Sequence, residues 1–259
     1  MKRMKNRPSA SRRLGLFALA GCLASLTAAG PAGAEKPASA FDGRSLKGWE
    51  GNPAYWSVKD GMIVGRLASA KWSTYLVTKK RYRNFRFLCQ LREVVRNAHS
   101  GIAYWGYVDP ENDWTYHGHL VVVPSPWGIW DLYGRSGLVE GTKTPAYRVG
   151  HEKEWNEIEI LAIGDRVRVA VNGTLCIDFT DPEPWRLVRG PIGLQLHSGG
   201  PAEIWFRELK ISADPEDRML TVRDGRRGDE VPARLPRLDA KMPSGSISAS
   251  RRSARGAPG

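Results

Sequence analysis

Gly190-Pro191-Ile192-Gly193-Leu194-Gln195-Leu196-His197-Ser198-Gly199-Gly200-Pro201-Ala202-Glu203-Ile204-Trp205-Phe206-Arg207-Glu208-Leu209-Lys210-Ile211 decides the fold. Two runs alternate with period two on either side of a Gly-rich turn, the pattern of two antiparallel strands, each with one face buried. Leu194 and Leu196 point one way; Gly193, Gln195 and His197 point the other. In the second run Ile204, Phe206 and Leu209 serve the core, while Trp205 and Arg207 share the opposite face. A core strand therefore carries an amide and an imidazole on its outer side. For a lone Gln-x-His the plainer reading is a solvated sheet face.

Outward from this stretch, residues 40–212 read almost entirely as strand. Turn signals recur at Lys59-Asp60-Gly61, Asn172-Gly173 and Ser198-Gly199-Gly200. Tyr82 to Val94 reads as one long strand with Phe85, Phe87, Cys89 and Leu91 on one side. Trp155–Ile163 and Arg166–Val171 form a further pair. No long segment carries a helical period, and there is no internal repeat. Many strands without intervening helices imply an all-β fold, two antiparallel sheets closed into a sandwich or barrel. The stretch is long enough for one sizeable core.

The two ends differ from this middle. Residues 1–34 read as an export signal: a basic n-region with six Lys/Arg, an apolar run from Leu14 to Ala29, and Ala32-Gly33-Ala34 before Glu35. The run is too short and too rich in Gly and Ala for a membrane span. Export to the periplasm or beyond is expected, with ordinary cleavage favoured. The alternative is a lipoprotein, because Leu19-Ala20-Gly21-Cys22 matches a lipoprotein box that would lipidate Cys22. Arg12-Arg13 hints at the twin-arginine route. Residues 214–259 form a basic tail rich in Pro, Arg, Ser and Gly, expected to be largely disordered. The net charge of +12 resides mostly in these ends. The signal carries +6 and the tail +3, which leaves +3 for residues 35–213. So weakly basic a domain, with no stripe of cations between aromatics, is not expected to bind nucleic acid. Cys89 and Cys176 could pair in an oxidising compartment. Cys89 is in phase with the core, however, and Cys176 is out of phase with Leu175 and Ile177, so two free thiols are expected.

A set of short motifs adds a resemblance. Phe41-Asp42-Gly43-Arg44-Ser45-Leu46-Lys47-Gly48-Trp49 comes first, then Trp56 to Gly65, Ser100-Gly101-Ile102, Trp155-Asn156-Glu157-Ile158-Glu159-Ile160, Val171-Asn172-Gly173, Gly190 to His197 and Trp205-Phe206-Arg207. In this order they resemble the bacterial 3-keto-disaccharide hydrolase family, also described as 3-keto-glucoside lyase and 3-keto-2-hydroxy-glucal hydratase. The likeness covers roughly residues 40–212 and implies a concanavalin-like jelly-roll sandwich. The implied substrate is a small carbohydrate and the implied chemistry is elimination. A ketone at C3 acidifies the proton on C2, a base removes it, the enolate expels the group at C1, and water adds to the glycal. The site then needs a base near neutral pKa and a group to hold the enolate.

These needs select candidates. His197 is the leading base and His119 its alternative. In Trp127-Gly128-Ile129-Trp130-Asp131-Leu132-Tyr133-Gly134-Arg135, alternation puts Asp131, Tyr133 and Arg135 on one face. Tyr133 and Arg135 would hold the enolate or ring hydroxyls, and Asp131 would orient an imidazole. Gln195 would bind substrate, and Trp105, Trp127 and Trp205 would offer rings for the apolar face of a sugar. The expectation is that these groups converge in one hollow.

Other constellations are weaker. Glu157 and Glu159 share a face but read as an exposed edge beside Trp155, not as a glycosidase carboxylate pair. His117-Gly118-His119, with His99 or His151, could supply metal ligands, so a divalent metal stays open as an alternative, with no cofactor otherwise indicated. No phosphate loop or nucleophile elbow is present. The strand Gly118-His119-Leu120-Val121-Val122-Val123 is apolar where many family members carry Gln or Asp. This motivates the rival reading, a carbohydrate-binding or cell-surface sandwich without catalysis.

Overall fold

The computed structural model describes residues 35–95, 100–124, 128–131, 136–140, 149–151, 153–183 and 189–223, with backbone alone at 128–131 and 136–140. The expected signal segment, His99, Trp127, Tyr133, Arg135 and the tail from residue 224 lie outside the described residues. The strands are β1 (Ala38–Ser39), β2 (Trp49–Glu50), β3 (Trp56–Lys59), β4 (Met62–Leu67), β5 (Thr74–Thr78), β6 (Phe85–Glu93), β7 (Ser100–Asp109), β8 (Thr115–Val123), β9 (Gly128–Asp131), β10 (Ser136–Glu140), β11 (Asn156–Ile163), β12 (Arg166–Val171), β13 (Thr174–Thr180), β14 (Gly193–Leu196) and β15 (Ala202–Ala213).

They form two sheets with antiparallel pairing throughout. The first runs β13-β12-β11-β6-β15-β4-β3, with β1 also on β15; the second runs β10-β9-β8-β7-β14-β5-β2. This is the expected jelly-roll sandwich. The stretch quoted at the outset corrects its first reading: its two strands do not pair with each other but join the layers, since β14 lies in the second sheet, between β7 and β5, and β15 in the first, between β6 and β4. Tight turns sit where the sequence marks them: Asp60 and Gly61 have φ of 50° and 74°, and Asn172 and Gly173 have 49° and 82°. Two successive positive φ values match the twist of a hairpin, which is why Asp-Gly and Asn-Gly occupy these sites. No helix among the described residues is long and apolar enough to cross a membrane.

The core lies between the sheets. Phe85, Phe87 and Leu91 from β6, Ile158 and Ile160 from β11, and Ile204 and Phe206 from β15 meet Ile102, Val121, Val123, Leu194 and Leu196 from the second sheet. Of the four register shifts among the described residues, three bear on the core and the site. In β15 the register slips between Arg207 and Lys210, with Glu208 at φ 54°. The extra residue returns Leu209 and Ile211 to the core side, so Leu209 is buried as the sequence suggests. In β13 the slip skips Cys176, so Cys176 and its neighbour Ile177 are both buried. Cys89 and Cys176 are free, and burial raises both thiols, that of Cys176 to about 12. The third bulge, in β7, bears on the site below.

The outer face of the first sheet corrects two expectations. Glu159 is fully buried rather than exposed. It pairs with the equally buried Arg86 and accepts hydrogen bonds from Leu220 N, Thr221 N and Thr221 Oγ1. The Arg86 guanidinium also donates to both Glu35 carboxylate oxygens, at 3.0 and 2.8 Å, and to the carbonyls of Glu216 and Arg218. Residues 214–223 therefore lie across this sheet, and the tail expected to begin at 214 is anchored through its first ten residues. A buried guanidinium persists only where its donors are matched, and here three chain segments match them.

Candidate active site

The outer face of the second sheet carries a separate small cluster. Tyr75 and Val77 of β5, Ala103 of β7, and Leu120 and Val122 of β8 are buried together with Tyr116; Val108 and Trp114 pack against them. The ladder sets their order. Gln195 of β14 faces Tyr75 of β5, Gly193 faces both Val77 and Ala103, and Ala103 faces Leu120. Gly101 and Gly193 make room for their neighbours' side chains. A Cβ on Gly101 would come within 2.5 Å of the Leu120 side chain, and one on Gly193 within 3.3 Å of Tyr75.

Polar groups cluster on β14. The Gln195 amide donates from Nε2 to Tyr75 Oη at 2.9 Å, and its Oε1 has no partner among the described residues. Ser100 Oγ holds the Gln195 carbonyl at 2.9 Å. Tyr116 stacks obliquely on Tyr75 with centroids 5.6 Å apart, and its hydroxyl donates to the Pro191 carbonyl at 2.7 Å. Burial raises the Tyr75 phenol well above its ordinary range, so it keeps its proton at every physiological pH. Two residues beyond Gln195, just past the end of β14, His197 is half-buried. Its Nδ1 lies 2.8 Å from the Ser198 carbonyl oxygen. A carbonyl only accepts, so Nδ1 is the nitrogen that donates here.

Of the expected site residues, Gln195 and His197 occupy this strand and its end; the others described lie elsewhere. His119 sits on β8 in phase with Val121 and Val123, and so points between the sheets. It is fully buried, with Nε2 at 2.6 Å from Asp181 Oδ2. Its ring packs 5.6 Å from both Tyr104 and Trp105. His119 and Gln195 thus lie on opposite faces of one sheet, and the expected single hollow does not form from them. The apolar run after His119 hid this. With both faces buried, alternation does not say which side is which. Asp131 stands directly opposite His119 in the β8–β9 ladder.

Trp105 is corrected by the bulge in β7. Alternation from Ile102 would send it outward beside Gln195. The register slips between Tyr104 and Tyr107, however, and Trp105 takes φ 49°. The ring turns into the core at 1% exposure, and its Nε1 donates to the Arg83 carbonyl at 2.6 Å. It offers no surface to a sugar. Trp205 is corrected by topology. It lies on β15 of the first sheet, out of phase with Ile204 and Phe206, with Lys59 Nζ over its ring at 5.8 Å. The thickness of the sandwich, about 10 Å between sheets, separates it from Gln195.

Sequence reasoning missed two residues. One is Tyr75, which only the strand register brings to Gln195. The other is Trp72, exposed at 45%. It sits beside the turn after His197: Ser198 N donates to Ser73 Oγ at 3.0 Å, and Ala70 bridges Gly199. Lys71 Nζ lies 5.1 Å from its ring centroid. No signal separates it from the other tryptophans except its flanks of Lys71 and Ser73, which are polar. No three His, Cys, Asp or Glu side chains gather as a metal site among the described residues. His117 stacks on Tyr107 at 4.9 Å, while His151 is bonded through its backbone to Asn156.

A family model described as a 3-keto-alpha-glucoside-1,2-lyase-like domain matches residues 36–212. Among solved structures, a proposed glycosyl hydrolase from Parabacteroides distasonis is 23% identical; the match covers 69% of this chain and 98% of that one, with a TM-score of 0.48. A carbohydrate-binding module from Bacillus subtilis is 12% identical over 64% of this chain and 96% of its own, with a TM-score of 0.43. No curated protein matches.

Proposed function

Because the chain belongs to the 3-keto-alpha-glucoside-1,2-lyase-like family, a family of carbohydrate-acting domains, we propose that it is an exported enzyme that cleaves 3-keto-glycosides. His197 Nε2 takes the proton from C2. The C–H electron pair becomes the C2–C3 double bond of an enolate. When the C3 carbonyl reforms, that pair shifts to C1–C2 and the C1–O bond breaks, its electrons leaving with the aglycone oxygen, which takes the proton that His197 removed. Water then adds to the glycal, its oxygen to C1 and a proton to C2, and the net change is hydrolysis. Gln195 binds the ring beside the base, and Trp72 lies against the departing sugar.

The observation that carries this reading is the His197 imidazole, held through Nδ1 by the Ser198 carbonyl on a strand end that also presents Gln195. The signal-like segment 1–34 supports export to the periplasm or beyond, with Cys22 lipidation as the variant route. The test is turnover of 3-keto-trehalose or a 3-keto-glucoside by the purified protein. Replacing His197→Ala should lower kcat by about 10²- to 10⁴-fold while sugar binding persists. Unchanged turnover removes His197 from the mechanism. The burial of His119 and Trp105 favours a second reading, sugar binding without chemistry, which predicts affinity for the same sugars and no turnover.

A further inference from the structure

We infer that Tyr75 and Gln195 act as a two-point reader of a ketone flanked by a hydroxyl, the phenol donating to the C3 carbonyl oxygen and the amide oxygen accepting from the neighbouring hydroxyl. The inference rests on the function proposed above and names the group in that site that meets the developing charge.

Hydrogen-bond accounting carries the argument. Tyr75 Oη accepts from Gln195 Nε2, so its own hydrogen must go elsewhere, and it has no acceptor among the described residues. Gln195 Oε1 likewise has no donor among them. Both side chains are nearly fully buried, at 1% and 3% exposure, where an unmet donor or acceptor is costly. They are also rigidly placed. Cross-strand pairing sets Tyr75 opposite Gln195, Tyr116 braces the phenol ring, and Ser100 holds the Gln195 backbone. The pair therefore presents one donor and one acceptor side by side on the outer face of the second sheet.

A 3-keto sugar presents the complement. Its C3 oxygen only accepts, and the hydroxyl on the next carbon donates. The unoxidised parent sugar has a hydroxyl at both places. Tyr75 holds on to its proton, so it stabilises the enolate by donating a hydrogen bond and transfers nothing; the C2 proton goes to His197. As C2 loses its proton, charge grows on the C3 oxygen, and a donor fixed in a dry setting strengthens its hold as it does so.

The test uses the full chain and 1,5-anhydro-3-keto-glucitol, which has no group at C1 to expel, labelled with ¹³C at C3. The infrared carbonyl stretch of the bound ketone should lie lower in the wild type than in Tyr75→Phe. It should fall further with 3-fluorotyrosine placed at position 75, a change that keeps the shape and sharpens the donor. On a 3-keto-glucoside, Tyr75→Phe should lose about 10²- to 10³-fold in kcat with little change in KM. A stretch that ignores position 75, or an analogue that does not bind, overturns the inference. A position-dependent stretch without turnover leaves the reader standing and defeats the proposed reaction; turnover that ignores position 75 does the reverse.

Discussion

Trp72 is the side chain that most plainly awaits a partner. Trp72 and Tyr107, at 45% and 50% exposure, are the exposed large hydrophobics among the described residues. Only Trp72 stands beside the turn that follows His197. Lys71 lies over its ring, and a sugar stacking there would set its apolar C–H face against the indole. Such stacking is worth about 0.5–1.5 kcal/mol. Trp72→Ala should therefore raise KM for a 3-keto-disaccharide about 3- to 10-fold and leave kcat near the wild-type value, and Trp72→Phe should recover most of the loss. Steady-state kinetics on the two variants checks this. His119 teaches the opposite lesson at the same scale. Its imidazole is as well suited to proton transfer as that of His197. Sealed against Tyr104 and Trp105 and held by Asp181, it ties the end of β13 in one sheet to β8 in the other, and its role is to join layers.

At the scale of strands, the decisive features are the bulges. Glu208 sits at φ 54°, which a residue with a β-carbon tolerates at a cost of about 1–2 kcal/mol. Glu208→Gly should leave stability unchanged or raise it by about 1 kcal/mol, whereas Glu208→Val should lower it by about 1–2 kcal/mol. Urea denaturation followed by tryptophan fluorescence measures both. The exposed Lys210 pairing at 3.5 Å that is lost in either case contributes little. The same features mark where the sequence could be read and where it could not. Phe85, Phe87, Cys89 and Leu91 alternate without interruption, and their burial followed from period two alone. Asp60-Gly61 and Asn172-Gly173 marked their turns. Trp105 did not announce itself, because one extra residue in β7 reverses the phase and nothing local distinguishes Trp105-Gly106 from a continuing strand. Tyr75 could not be tied to Gln195 either. Their sequence separation is 120 residues, and only pairing brings them opposite.

Across the whole molecule the two outer faces are unlike. One is closed over ion pairs, and the other carries apolar groups, glycines and one buried amide–phenol pair. The closed face stores acid-sensitive stability. Hydrogen bonding to Arg86, chiefly, lowers the Glu35 carboxyl from 4.5 to about 2. A depressed folded pKa contributes stability above the unfolded value, and the contribution is lost as pH falls through the folded one. The melting-temperature gap between the wild type and Glu35→Gln should be full at pH 6, narrow below 4.5 and close near 2. The shift sets its ceiling at about 3 kcal/mol. A gap that does not change between pH 6 and pH 2 would remove the Arg86 contact as its source.

The grip of Arg86 on Glu35 at one end and on the Glu216 and Arg218 carbonyls at the other also sets an orientation. The polypeptide arrives at the domain and departs from it on the same side. A pull applied through Glu35 or through Arg218 therefore falls on the sheet built around β6 and β11.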